Sequence, residues 1–164
     1  MTLPSRVGLC AFLGSAALLM GAYYFQYVMG LPPCDLCWWQ RYPHMVAIAA
    51  GLLSVAALGH PKIALWFALV AITALFATAG IGIYHVGVEQ HWWAGPQACT
   101  GAVPRGLSVE QLKKFLLGAK MVRCDQAAWS MWGISMAGWN AILSGGLALL
   151  LSSQVATHIR TKSA

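Results

Sequence analysis

Four of the five cysteines fall at spacings that could do chemistry: Cys34 and Cys37 as a Cys-x-x-Cys, and Cys99 and Cys124 twenty-five positions apart. A Cys-x-x-Cys alone is shared by redox motifs and zinc knuckles. Here it stands in Pro32-Pro33-Cys34-Asp35-Leu36-Cys37-Trp38-Trp39-Gln40-Arg41. The double proline imposes an extended approach, and an apolar run follows almost at once, so Cys37 is expected near a helix N-terminus. There the helix dipole favours the thiolate, the nucleophilic form of the thiol. With a helix beginning at Cys37, Arg41 is its i+4 neighbour and brings a cation to the same face. The same cation could anchor the helix at the interface or polarise the carbonyl of a lipid-soluble oxidant.

The elements that must position these residues are read from composition. Of 164 residues, 59% are hydrophobic and only 9% charged, and mean hydropathy is +0.66. Soluble domains run near 45–50% apolar and about 25% charged, so neither a disordered chain nor an ordinary soluble enzyme fits. The net charge of +6 comes without a basic face interleaved with aromatics, which argues against nucleic acid. It is better read as loop charge beside anionic lipid.

Four uncharged stretches account for the hydropathy: 7–29, 42–59, 63–84 and 131–151. Each approaches the roughly 20 apolar residues a spanning helix needs; 42–59 is the weakest, with Pro43 and His44 near its start. Tyr23, Tyr24 and Phe25 leave no small-residue cleavage site, so the first stretch reads as a retained span. The expectation is an all-α, single-domain integral membrane protein, a bundle of four transmembrane helices over residues 1–164. Both termini then share one side, and the loops 30–41 and 85–130 share the other. Basic residues do not decide the orientation: Arg6, Lys62, Arg160 and Lys162 lie on the terminal side, against Arg41, Arg105, Lys113, Lys114, Lys120 and Arg123 opposite.

Small residues at four-residue spacing, Gly133, Ala137, Ala141 and Gly145, with Ala74, Thr78 and Gly82, predict close helix packing. In the second loop Ser108 and Gln111 form a capping-box signature. Leu112, Phe115, Leu116 and Ala119 then make one apolar stripe, a short amphipathic helix suited to the membrane surface. Cys10 lies within the first span and reads as a small apolar residue. His60 and His158 read as loop and tail residues. His85 and His91 flank the start of the second loop, where His85 could approach a lipid-soluble oxidant but is expected rather to anchor at the headgroups.

Two cysteine pairs on one membrane face, one near lipid and one in a loop, suggest a relay. Thiol–disulfide exchange needs only a thiolate in line with a disulfide. The loop pair could oxidise a soluble dithiol protein and the Cys-x-x-Cys could reoxidise the loop pair. The sequence carries no haem, flavin or nucleotide motif, so a membrane quinone is the natural final acceptor.

Pro33-Cys34-x-x-Cys37 followed by Gln40-Arg41, Cys99-Thr100-Gly101, and Arg123-Cys124-Asp125 leading into Trp129-Ser130-Met131-Trp132-Gly133-Ile134-Ser135-Met136 together resemble the DsbB family over nearly the whole chain. These proteins support disulfide bond formation in exported proteins. The resemblance implies a four-helix bundle in the bacterial inner membrane, with cytoplasmic termini and cysteine loops facing the periplasm. It implies ubiquinone or menaquinone as acceptor and a periplasmic thioredoxin-like partner of the DsbA kind. By position, Cys99 would form the mixed disulfide with that partner and Cys124 would resolve it. Cys34 would exchange with Cys124, Cys37 would meet the quinone, and Arg41 would assist there. No metal is implied.

Other classes fit less well. Proteins resembling vitamin K epoxide reductase also carry four working cysteines in a small bundle, but their Cys-x-x-Cys lies late in the chain. A structural zinc site made of four cysteines usually pairs two Cys-x-x-Cys knuckles, and Cys99 with Cys124 supplies no second one. A haem held by His44 and His85 has no motif behind it.

Overall fold

The computed structural model describes residues 2–96, 108–110, 113 and 122–163. Four helices carry the fold: α1 (Leu3–Tyr27), α2 (Asp35–Ala56), α3 (Pro61–Glu89) and α4 (Met136–Ser163). A two-residue antiparallel ladder, β1 (Ser130–Met131) with β2 (Ile134–Ser135), precedes α4. Neighbours in sequence pack together, and α1 also packs on α3 and α4, closing a bundle. Among the described residues three helices, α1, α3 and α4, are long and apolar enough to cross a bilayer. α2 is not among them: its first half carries Asp35, Gln40, Arg41 and His44.

Local chemistry sets the ends. Pro4 and Pro61 lie in the first turns of α1 and α3, where a missing N–H costs nothing. Gly30, at φ +69°, follows α1 in the left-handed conformation that closes helix C-termini. Cys34 caps α2, its sulfur accepting the Cys37 N–H at 3.3 Å. The Ser135 hydroxyl accepts the Gly138 N–H at 3.2 Å, a capping bond for α4.

These ends shift several expected boundaries. α2 begins at Asp35, two residues before the assumed start at Cys37, and α3 runs on to Glu89 into the expected loop 85–130. The span expected from 131 begins only at Met136. Residues 131–134 instead form a tight turn in which Trp132 (φ 53°) and Gly133 (φ 78°) are both left-handed, the geometry of a two-residue hairpin loop. Gly133 therefore leaves the small-residue ridge. The rest of that ridge is observed: a Cβ on Gly82 would sit 3.0 Å from the Ala137 carbonyl and 3.1 Å from the Ala141 Cβ, and one on Gly145 would sit 3.6 Å from the Ala79 Cβ. Of the surface helix proposed for the second loop, only Ser108, Val109, Glu110 and Lys113 are described; Val109, Glu110 and Lys113 are helical. Its Leu112, Phe115, Leu116 and Ala119 lie outside the described residues.

The core is built from alanine more than from large side chains. Ala11, Ala47, Ala50, Ala68, Ala71, Ala74 and Ala148 join Val7, Leu75 and Leu151 in one buried cluster. Large apolar residues such as Leu13, Met20, Trp66 and Leu149 face outward. This inversion suits helices surrounded by lipid, where association rests on close backbone approach rather than on hiding apolar surface.

A candidate dithiol centre at the start of α2

The extended Cys34 backbone (φ −81°, ψ 175°) and the first turn of α2 bring Cys34 Sγ within 2.9 Å of Cys37 Sγ. Both sulfurs are free thiols, and a short displacement separates them from disulfide bonding distance. The sulfurs precede the 42–59 span and differ in acidity. A hydrogen bond from the Cys34 thiol holds Cys37 below the ordinary thiol range, with the Arg41 charge adding to the effect against burial. The same bond, together with burial, pushes Cys34 well above that range. Cys37 is thus the thiolate side of the pair, as its place in the first turn predicts.

Arg41 is only 5% exposed, so it is not an interfacial anchor reaching into solvent. Its guanidinium donates to Gln26 Oε1 and to the Ala22 carbonyl on α1. It also lies between two rings, 4.9 Å from Tyr23 and 4.8 Å from Trp38. The cation is therefore held in place from three sides.

His85 departs most from expectation. Rather than anchoring at the headgroups, it is 3% exposed and directs Nε2 at Cys34 Sγ, 3.7 Å away. Gln40 Nε2 donates to His85 Nδ1 at 2.9 Å. Asn140 Nδ2 donates to Gln40 Oε1 at 2.7 Å and to Thr78 Oγ1 at 3.0 Å, while His44 and Ser144 bond Asn140 Oδ1. His44 and His85 therefore serve a hydrogen-bonded network across α2, α3 and α4 rather than a haem. The sequence reading gave Asn140 and Glu89 no role, named Gln40 only within its motif and took Thr78 for a packing residue. Their signal was polarity inside apolar stretches, since such residues face the bundle interior.

Cys124 is fully buried, disulfide-bonded, and packed in one cluster with Cys34, Leu36 and Val88. Arg123 and Asp125 beside it form an exposed ion pair, which holds the Asp125 carboxyl below the usual range. Cys99 lies outside the described residues. Cys10 is exposed on α1 and free. Cys34, Cys37, Arg41, His85 and Glu89 all open onto a cavity of about 500 Å³. Its remaining wall is mostly apolar, from Leu18 and Phe25 on α1 to Trp139 and Leu143 on α4.

The comparisons with known proteins agree on one family. A family model described as disulfide bond formation protein DsbB matches residues 4–154. A disulfide bond formation protein B from Marinobacter nauticus is 33% identical over 147 residues, covering 85% of this chain and 84% of the relative. One from Stutzerimonas stutzeri is 31% identical over 156 residues, covering 90% and 91%. A third, from Verminephrobacter eiseniae, is 32% identical over 165 residues, covering 96% and 89%. No solved structure matches the chain.

Proposed function

The chain belongs to the DsbB family of disulfide bond formation proteins, and on that premise we propose that it is a protein-dithiol:quinone oxidoreductase. It reoxidises a periplasmic thioredoxin-like dithiol protein of the DsbA kind and passes the electrons to ubiquinone or menaquinone. In this reading α2 is the fourth span. The four helices lie in the bacterial inner membrane as one domain, both termini are cytoplasmic, and the loops 30–41 and 85–130 face the periplasm.

One observation carries the reading: a Cys34–Cys37 dithiol opens onto an apolar cavity that also holds a buried arginine. The cavity lies within the 300–1,000 Å³ range of small-molecule sites. Mostly apolar walls with polar groups set among them suit a quinone head, with Arg41 as the hydrogen-bond donor holding it. Bound there, a quinone supplies a two-electron, two-proton acceptor for the Cys34–Cys37 pair. The chain's own residues do the exchange. The partner's first thiolate attacks Cys99, forming a mixed disulfide and freeing the Cys124 thiolate, which attacks Cys34 and releases the Cys37 thiolate. The partner's second thiolate then displaces Cys99 and the partner leaves as a disulfide. The Cys99 thiolate attacks Cys124 in the Cys34–Cys124 bond, restoring Cys99–Cys124 and leaving the electron pair on reduced Cys34 and Cys37. The shared burial of Cys34 and Cys124 supports a direct exchange between those two. The Cys34 hydrogen bond stabilises the Cys37 thiolate, and the Arg41 charge adds to it.

The test is a trap. Offered the thioredoxin-like partner in its disulfide form, Cys124→Ser should accumulate a mixed disulfide as the Cys99 thiolate attacks it and no thiol at 124 is left to displace the partner, seen as a reductant-sensitive adduct on a non-reducing gel. Cys99→Ser should abolish it. Equal trapping by both variants would overturn the roles given to the attacked and resolving sulfurs.

A further inference from the structure

The structure assigns a second capacity to the dithiol centre: when reduced, Cys34, Cys37 and His85 form a three-donor site for zinc, with the Glu89 carboxylate beside His85 as a further negative charge. Cys34 Sγ, Cys37 Sγ and a His85 ring nitrogen lie within 4.8 Å of one another. That spread matches what a single tetrahedral ion with bonds of about 2.0–2.3 Å can draw together. Glu89 Oε1 is 3.9 Å from His85 Nε2. Its Oε2 is buried with no hydrogen-bond partner among the described residues. A buried carboxylate oxygen without a partner is costly, and a cation beside His85 would satisfy it.

Charge and donor chemistry agree. Zinc prefers thiolate, imidazole and carboxylate donors. Two thiolates and one carboxylate against a divalent cation leave one negative charge, and the buried Arg41, whose field reaches Cys37, offsets it. Binding displaces the thiol protons to solvent and leaves both sulfurs at the same oxidation state, so it is coordination and not redox. Ligation through His85 Nε2 moves the ring proton to Nδ1, and the Gln40 amide turns its oxygen to accept it, giving up its present bonds with the Leu36 carbonyl and Asn140 Nδ2. The neighbouring amide thereby orients the ligand, as partners beyond the ligands do in metal sites. This site differs from a four-cysteine knuckle because it uses neither Cys99 nor Cys124.

The functional consequence, which rests on the oxidoreductase reading, is inhibition: a metal-bound pair cannot form its disulfide. The binding itself does not depend on that reading and is tested alone. Purified protein in detergent, stripped of quinone and reduced, is titrated with zinc ion by calorimetry. Cadmium serves as a second probe through its thiolate charge-transfer absorption. One ion per chain should bind, and zinc should protect Cys34 and Cys37 from alkylation until a chelator is added. His85→Ala keeps every thiol and should weaken binding on the order of tenfold or more. Cys37→Ser should weaken the charge-transfer band, and replacing both cysteines by serine should remove it. Wild-type affinity in His85→Ala, or equal binding by the oxidised protein, would overturn the site. Should zinc bind as expected yet leave quinone reduction untouched, the zinc site stands and the assignment of quinone reduction to Cys34–Cys37 is the one at fault. Should no quinone be reduced with or without zinc, the oxidoreductase reading falls and the zinc site still stands.

Discussion

Cys37→Ser protein should reduce a soluble quinone analogue at less than about a thousandth of the wild-type rate, since removing the nucleophile of a covalent mechanism typically costs more than that. The expectation follows from position. Cys37 is the more acidic sulfur of the pair, in the first turn of α2, with the Arg41 charge beside it. A hydroxyl there cannot form a disulfide with Cys34, so no electron pair can leave the centre. Exchange between the partner and Cys99–Cys124 should continue for a single turnover, because it precedes the step that is lost. Stopped-flow absorbance of the quinone, with the partner's thiols counted in parallel, separates the two. Residual turnover above a tenth of wild type would remove Cys37 from the mechanism.

Arg41 gives the second large effect. Its guanidinium is buried, sandwiched between Tyr23 and Trp38, and bonded to Gln26 and the Ala22 carbonyl. A charge-assisted hydrogen bond is worth about 1.5–3 kcal/mol, so Arg41→Ala or Arg41→Gln should weaken apparent quinone affinity roughly ten- to a hundredfold. Arg41→Lys keeps the charge but loses the planar fork, and its defect should be smaller. Loss of the cation also favours the Cys37 thiol over its thiolate. The pH at which Cys37 becomes alkylatable should therefore rise in the neutral variants and stay nearly unchanged in Arg41→Lys. Partner exchange without quinone should persist in all three. Wild-type quinone dependence throughout would reduce Arg41 to a packing residue.

Much of this architecture was legible because it is written in charge. Uncharged runs mark α1, α3 and α4, and the proline pair before Cys34 marks the entry to α2. What escaped depends on partners distant in sequence. Glu89, the last residue of α3, is buried beside His85, a pairing that no count of local charges can anticipate. His85 reads as a headgroup anchor until Gln40, forty-five positions away, turns its ring toward Cys34. The start of α4 slipped because Trp132 adopts a left-handed backbone, which bulky residues seldom do. Arg41 was read correctly as a neighbour of Cys37. Its burial was not foreseen, because the aromatic clamp comes partly from Tyr23 on another helix.

Electron bookkeeping on the wild-type protein tests the central claim most directly. Purified protein in detergent is mixed with a measured amount of reduced thioredoxin-like dithiol protein and an excess of quinone analogue under anaerobic conditions. Quinone loss is followed by absorbance, and disulfide gain by mass spectrometry. The account predicts one quinone reduced for each partner disulfide formed, with nothing consumed when Cys34 and Cys37 are both serine. Partner disulfides formed without matching quinone loss, or quinone loss that survives the double substitution, would contradict it.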